Sequence, residues 1–247
     1  MSKLPLLGIF DSGVGGFSVY KKVRMITPAN TVYYGDTLRA PYGNREEDEI
    51  KEFIKDDIRF LQDEGVTHFV NACNSMSVMT TDLLLKECNV KTEHYTDMIR
   101  AFDKHTSFTK DDKVLVLATQ ATIRSGIYQE VLRTKNVIPF EYAYTDLALA
   151  IENNEKEGEL EKIIEKGIHY GKVVGATHII YGCTHYPLLH DVFLRVKEKI
   201  GWPGEFIDPA IYVAEEVKKW KLEGDRKFYP YGSKDTPAFI KQIIQLL

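Results

Sequence analysis

The chain has 247 residues, enough for one large domain or two small ones with a sizeable core. Hydrophobic residues at 44% and charged residues at 28% exclude a disordered chain, a collagen-like repeat and a coiled-coil rod. A formal net charge of −4 offers nucleic acid no global attraction, so no nucleic-acid partner is expected.

Three scattered cysteines, Cys73, Cys88 and Cys183, are no disulfide framework and fit a reducing compartment. No apolar run approaches the roughly 18 residues of a membrane span. The apolar stretch Leu4 to Phe10 ends at Asp11 with no small-residue cleavage site, so it reads as a first strand rather than a signal peptide. The expected location is the cytoplasm, away from any membrane.

In chain order, Leu6–Phe10 reads as a strand and Phe17–Met25 as a helix. Thr31–Tyr34 is a second strand, followed by a long helical pattern over Glu46–Glu64. His68–Ala72 precedes a helical run at Met76–Glu87. Val114–Leu117 and Pro139–Tyr142 are the next strands, then the helix Glu159–Lys172, the strand His178–Tyr181 and the helix Leu188–Ile200. This alternation predicts parallel sheet covered by helices on both faces, with ligands at the carboxyl ends of the strands.

An internal repeat is the most informative feature. Val66-Thr67-His68-Phe69-Val70-Asn71-Ala72-Cys73 parallels Ala176-Thr177-His178-Ile179-Ile180-Tyr181-Gly182-Cys183. Upstream, Leu6–Phe10 before Asp11-Ser12-Gly13 has its counterpart in Val114–Leu117 before Ala118-Thr119-Gln120. Asp11 and Cys73 stand 62 residues apart, and Thr119 and Cys183 stand 64 apart. Two halves built alike would each place one thiol after an equivalent strand.

A lone cysteine after a buried strand is ordinarily a small hydrophobe, and Cys88, late in a helical run, is read that way. Cys73 and Cys183 are each followed by helix-starting residues, Asn74-Ser75 and Thr184-His185 with Pro187 beyond. Both sulfurs are therefore expected near the positive end of a helix dipole, which favours thiolate. One thiol beside a base suggests covalent catalysis. A symmetric pair suggests inversion of an acidic carbon centre, with a base on one face and an acid on the other.

The remaining motifs suit a small anionic substrate. Asp11-Ser12-Gly13-Val14-Gly15-Gly16 supplies glycines for close backbone approach, and Ser12, Asn74, Ser75, Thr119, Thr122 and Thr184 supply neutral donors. Asp11 and His185 are candidates for orienting the cysteines or adjusting their protonation. Asp11 also suits a helix cap, and His185 a packing or capping role. The glycine run partly mimics a dinucleotide-binding turn, with Asp36 in range, but its last glycine is missing. The chain holds no GxxxxGK[ST] loop, paired CxxC or HExxH to support an NTPase or zinc enzyme.

Taken together, Gly8-Ile9-Phe10-Asp11-Ser12-Gly13-Val14-Gly15-Gly16, Pro41-Tyr42-Gly43-Asn44, Ala72-Cys73-Asn74-Ser75, Ala118-Thr119-Gln120-Ala121-Thr122 and Gly182-Cys183-Thr184-His185-Tyr186-Pro187-Leu188-Leu189 resemble the motifs of glutamate racemases. They occur in family order and cover most of the chain from residue 7 to about 210, with Asp208-Pro209-Ala210 similar to a late family turn.

The resemblance implies two similar three-layer α/β domains related by pseudo-two-fold symmetry, with the active site in the cleft between them. One domain would comprise residues 1–96 plus 208–247, the other 97–207. The implied activity is racemisation of glutamate without cofactor or metal, supplying D-glutamate for peptidoglycan. Aspartate or a related amino acid is the alternative substrate, and a non-catalytic binding protein a more distant reading. By family role Cys73 and Cys183 are the acid/base pair, Asp11 and His185 assist, and Glu152 is a further helper. Substrate binding falls on Ser12, Pro41, Tyr42, Gly43, Asn74, Ser75, Thr119, Thr122 and Thr184, and a homodimer is plausible for the family.

Four departures from the family pattern stand out. Ser75 replaces Thr and keeps the hydroxyl, and Ala118 replaces Gly. Asn71 puts an amide at a usually aliphatic strand position, where it needs hydrogen-bond partners. Ala143-Tyr144-Thr145-Asp146 lacks the Cys-Pro and second Pro expected there, which loosens the alignment of Glu152.

Overall fold

A computed structural model describes residues 5–40, 42 and 45–246. Pro41, Gly43 and Asn44 lie outside the described residues.

The first half runs β1 (Leu6–Asp11), α1 (Phe17–Ile26), β2 (Asn30–Gly35), α2 (Glu47–Asp63), β3 (Val66–Asn71), α3 (Asn74–Ser77), α4 (Asp82–Glu87), β4 (Tyr95–Asp97) and α5 (Met98–His105). The second runs β5 (Lys113–Ala118), α6 (Gln120–Ser125), α7 (Ile127–Thr134), β6 (Ile138–Ala143), α8 (Leu147–Glu152), α9 (Glu157–Val174), β7 (His178–Gly182), α10 (His190–Ile200) and β8 (Glu205–Ile207). The chain then continues through α11 (Ala210–Lys219), β9 (Phe228–Gly232) and α12 (Thr236–Gln245).

Every strand pairing is parallel. One sheet has the order β4-β3-β1-β2-β9 and the other β6-β5-β7-β8. The repeat is thus a repeat of position: β1 and β5 are paired on both sides, with β3 and β7 as their equivalent neighbours.

Period-2 alternation explains why the strands read as unbroken apolar runs. In β5 and β7, Leu115, Leu117, Ile179 and Tyr181 join the core formed with α9 and α10. Val114, Val116, Ala118 and Ile180 face the opposite way, into the core with α5 and α7. Both faces of each sheet are covered, so only the strand ends are open to a ligand.

The helices show the expected amphipathic stripes. In α2, Ile50, Ile54, Ile58 and Leu61 are buried, and Glu46 and Glu49 form a capping box at its start.

The structure corrects several boundaries. The helical run Met76–Glu87 is two helices, because Thr81 leaves helical geometry and caps α4 by accepting from the Leu84 amide at 3.2 Å. β4 and β8 have three residues each, too short to show a period. β9 was hidden by Pro230, which only an edge strand tolerates, and it pairs with β2 alone. α11 packs on α1 through Ala210, Val213, Ala214 and Val217, so the end of the chain returns to the first sheet. Among the described residues, no helix is long and apolar enough to cross a membrane.

Candidate active site

Cys73 lies two residues beyond β3 and caps α3. Its N–H donates to Asn71 Oδ1 at 3.1 Å, and its carbonyl accepts from the Ser77 amide and hydroxyl, both at 2.8 Å. The thiol donates to Ser12 Oγ at 3.7 Å. Burial pushes this thiol well up from its ordinary value, and the Asp11 carboxylate adds to the effect. The Met76 amide and the Ser12 hydroxyl oppose it only in part.

Cys73 stands at a helix start as expected, but α3 is only four residues long, and burial drives the thiol the opposite way. At Cys183 no α-helix starts at all. A short 3-10 turn over Tyr186–Leu189, with Pro187 in its first positions, comes before α10.

Asp11 ends β1 and is wholly buried. Its Oδ2 accepts from the amides of Gly13 (3.2 Å) and Gly16 (2.9 Å), closing the glycine turn, while Oδ1 has no partner among the described residues. Burial raises its carboxyl, against His185 and the two amides.

Cys183 follows β7 directly, and His185 Nδ1 approaches its Sγ at 3.6 Å. His185 Nε2 meets Glu152 Oε1, at the end of α8, at 2.7 Å. Burial alone would lower the imidazole, but its bonds to Cys183 and Glu152 outweigh that and hold it well above the ordinary histidine value. The two ring nitrogens of His185 thus face the sulfur on one side and the carboxylate on the other. Glu152 is correspondingly lowered, because His185 and the Val14 amide outweigh the cost of burying its charge.

The glycine turn meets this assembly. A Cβ at Gly13 would overlap the Glu152 carboxylate, and one at Gly15 would overlap the His185 ring and lie 2.8 Å from Thr184 Oγ1. The close approach expected of these glycines is made by the opposite half of the protein itself.

Four further bonds tie the halves together around the site. Val14 N–H donates to Glu152 Oε1 at 3.4 Å, and Ser18 Oγ donates to the Thr184 carbonyl at 2.9 Å. Ser75 Oγ meets Thr119 Oγ1 at 3.1 Å. Tyr128 O–H donates to Asn74 Oδ1 at 2.8 Å, and the buried Asn74 Nδ2 has no partner among the described residues.

These residues border one cleft of about 320 Å³. Asp11, Ser12, Tyr42, Cys73, Asn74, Ser75, Thr119, Cys183, Thr184 and His185 all line it. Thr122 stands behind Thr119, its hydroxyl 3.1 Å from Thr119 Oγ1, and is not in the lining. The Tyr42 hydroxyl is committed to Asp36, so that residue meets the cleft by its other atoms. Pro41 and Gly43 lie outside the described residues.

Sequence reasoning missed two walls. One comprises Tyr144 to Asp146 and the α8 residues Ala148 and Leu149; the other comprises Lys234, Asp235 and the α12 residues Ala238, Phe239 and Gln242. The Asp235-Thr236-Pro237 start of α12 is a readable helix signal, with Asp235 accepting from the Ala238 amide at 3.0 Å. Nothing local in the sequence says that this helix reaches the cleft.

The profile of the Asp/Glu/Hydantoin racemase family matches residues 7–217. The chain belongs to this family. A glutamate racemase of Aquifex aeolicus is 37% identical over 98% of this chain and 93% of its own length. One of Carboxydothermus hydrogenoformans is 35% identical over 93% and 88%. The crystal structure of glutamate racemase from Campylobacter jejuni superposes with a TM-score of 0.84 at 26% identity, covering 98% of each chain. That from Aquifex pyrophilus gives 0.77 at 31% identity, covering 98% of this chain and 94% of that one. The family match ends before β9 and α12, so one wall of the cleft lies beyond the segment that defines the family.

Proposed function

We propose that this protein interconverts L- and D-glutamate with Cys73 and Cys183 as the two acid/base groups. The observation that carries the reading is that two thiols leave equivalent strands of two like sheets and line a single cleft. The names of the relatives support glutamate as substrate.

In each turnover one sulfur, as thiolate, takes the α-hydrogen while the other, as thiol, delivers its proton to the opposite face of the planar carbanion. The Cα–H bond that breaks is replaced by an S–H bond, and thiol and thiolate have exchanged places. Burial raises the Cys73 thiol, and a raised thiol is a stronger base once ionised, as a weakly acidic carbon requires. His185, paired with Glu152, faces Cys183 and can exchange a proton with it. Asp11 has a free buried oxygen for the substrate ammonium, and Asn74 Nδ2, Ser75 and Thr184 are donors for its carboxylates.

The same reading divides the chain into residues 1–96 plus 208–247 and residues 97–207, except that β4 runs to Asp97 within the first sheet, so the first boundary falls after that strand. The packing of α11 on α1 and of β9 beside β2 supports that division. It also places the protein in the cytoplasm, supplying D-glutamate for cell-wall precursors. Racemisation of a panel of L-amino acids without added cofactor tests the assignment. Turnover of glutamate is expected; turnover of aspartate alone would replace the substrate, and silence on every amino acid would reject the activity.

A further inference from the structure

Asn71 ends β3 with no exposed surface and takes no part in lining the cleft. Its amide is committed at both ends. Oδ1 accepts the Cys73 N–H at 3.1 Å, and Nδ2 donates to Thr80 Oγ1 at 3.2 Å. Thr80 in turn donates to the Met76 carbonyl at 2.9 Å, and the Met76 amide is one of the groups facing the Cys73 sulfur. Asn71 thus ties the Cys73 main chain to Thr80 and, through Thr80, to the Met76 carbonyl.

The fold does not demand an amide here. At the matching position of the repeat the second half has Tyr181, whose hydroxyl meets His190 Nδ1 at 2.9 Å, away from Cys183. A buried Asn is tolerated only where its polar atoms are paired, and one of the pairs made here is with the candidate base itself.

We propose that Asn71 is a positioning residue. It fixes the Cys73 main chain through the amide bond and so sets the reach of Sγ toward the substrate α-carbon, without touching substrate. This inference rests on the two-thiol reading. Small displacements of a reacting group are costly in rate, so release of Cys73 should slow only the proton transfers that Cys73 performs.

The test is the primary deuterium isotope effect at the α-carbon, measured with each glutamate enantiomer on the wild type, Asn71→Val and Thr80→Val. Val suits a buried strand and removes both amide bonds. Asn71→Val should lower kcat about tenfold. Its isotope effect should rise for the enantiomer that Cys73 deprotonates and fall for the other, where reprotonation by Cys73 becomes slow. Thr80→Val leaves Oδ1 on the Cys73 N–H and should keep both isotope effects at wild-type values. The double variant Asn71→Val/Thr80→Val also removes the hydroxyl that has lost its Asn71 donor, and should show the same divergence if the single variant is unstable.

Isotope effects that stay unchanged or move together in the folded Asn71 variants would overturn the proposal. So would a Thr80→Val protein that reproduces the divergence. A wild type inactive on both enantiomers would instead overturn the two-thiol reading itself, and this proposal with it.

Discussion

Cys73 and Cys183 leave equivalent strands into unlike surroundings. Around Cys73 the neighbours are a hydroxyl, a backbone amide and the buried Asp11 carboxylate, and burial raises the thiol. Around Cys183 the neighbour is the His185 imidazole, backed by Glu152 and raised by that pairing. The duplicated architecture brings two sulfurs to one cleft, while the local partners differ. A symmetric intermediate therefore does not require a symmetric site; it requires only that each sulfur be able to hold or release a proton.

The most severe break of this pairing is removal of either sulfur. Cys73→Ser and Cys183→Ser should each lower racemisation about 10³-fold while leaving the folded spectrum intact, as seen by circular dichroism and polarimetry. Substantial turnover in one of them would show that a single sulfur suffices.

Glu152→Gln acts on one side only. It removes the charge that helps hold the His185 proton, so kcat should fall about tenfold or more. Because His185 is raised with Glu152 in place, losing that charge must move its deprotonation to lower pH. The alkaline limb of the rate profile should shift the same way. Ser12→Ala, on the Cys73 side, should leave that limb in place.

Gly15→Ala probes the contact between the halves. The added methyl meets the His185 ring and the Thr184 hydroxyl, both fixed in the site, so kcat should drop roughly tenfold by displacement of His185. A steady-state assay beside a thermal melt separates this from simple unfolding.

The smallest effect lies at the far end of the sheets, where the repeated Thr-His pairs sit. His68 stacks on His94 with ring centroids 4.2 Å apart, and burial, then His94, lowers its imidazole to about 4. A lowered histidine favours the folded state when neutral, so its contribution is complete above the ordinary histidine range and is lost as pH falls toward 4. Melting temperature should decline over that interval, and less steeply in His68→Gln. Racemase activity at neutral pH should not change in that variant.

Much of this was legible in the residues. Five long strands read as apolar runs because both sheet faces are covered, while the sixth, β6, is an edge strand with no buried residue; the repeat pointed to the two thiols before any fold was in view. Three kinds of feature were not legible. The short strands β4 and β8 are made by pairing to neighbours rather than by their own pattern, and Pro230 disguised an edge strand. The cleft walls from α8 and α12 depend on where distant segments dock. The state of the Cys73 thiol depends on burial, which a capping motif beside it does not reveal. Asn71 was visible as an oddity in its strand, but only its partners show why an amide stands there.

The decisive measurement is the fate of the α-hydrogen when L-glutamate is incubated with the protein in D₂O and sampled early. Two sulfurs on opposite faces require newly formed D-glutamate to carry deuterium while the remaining L-glutamate keeps its protium. Deuterium entering both enantiomers equally from the outset, or protium carried over into the product, would mean that one group serves both faces.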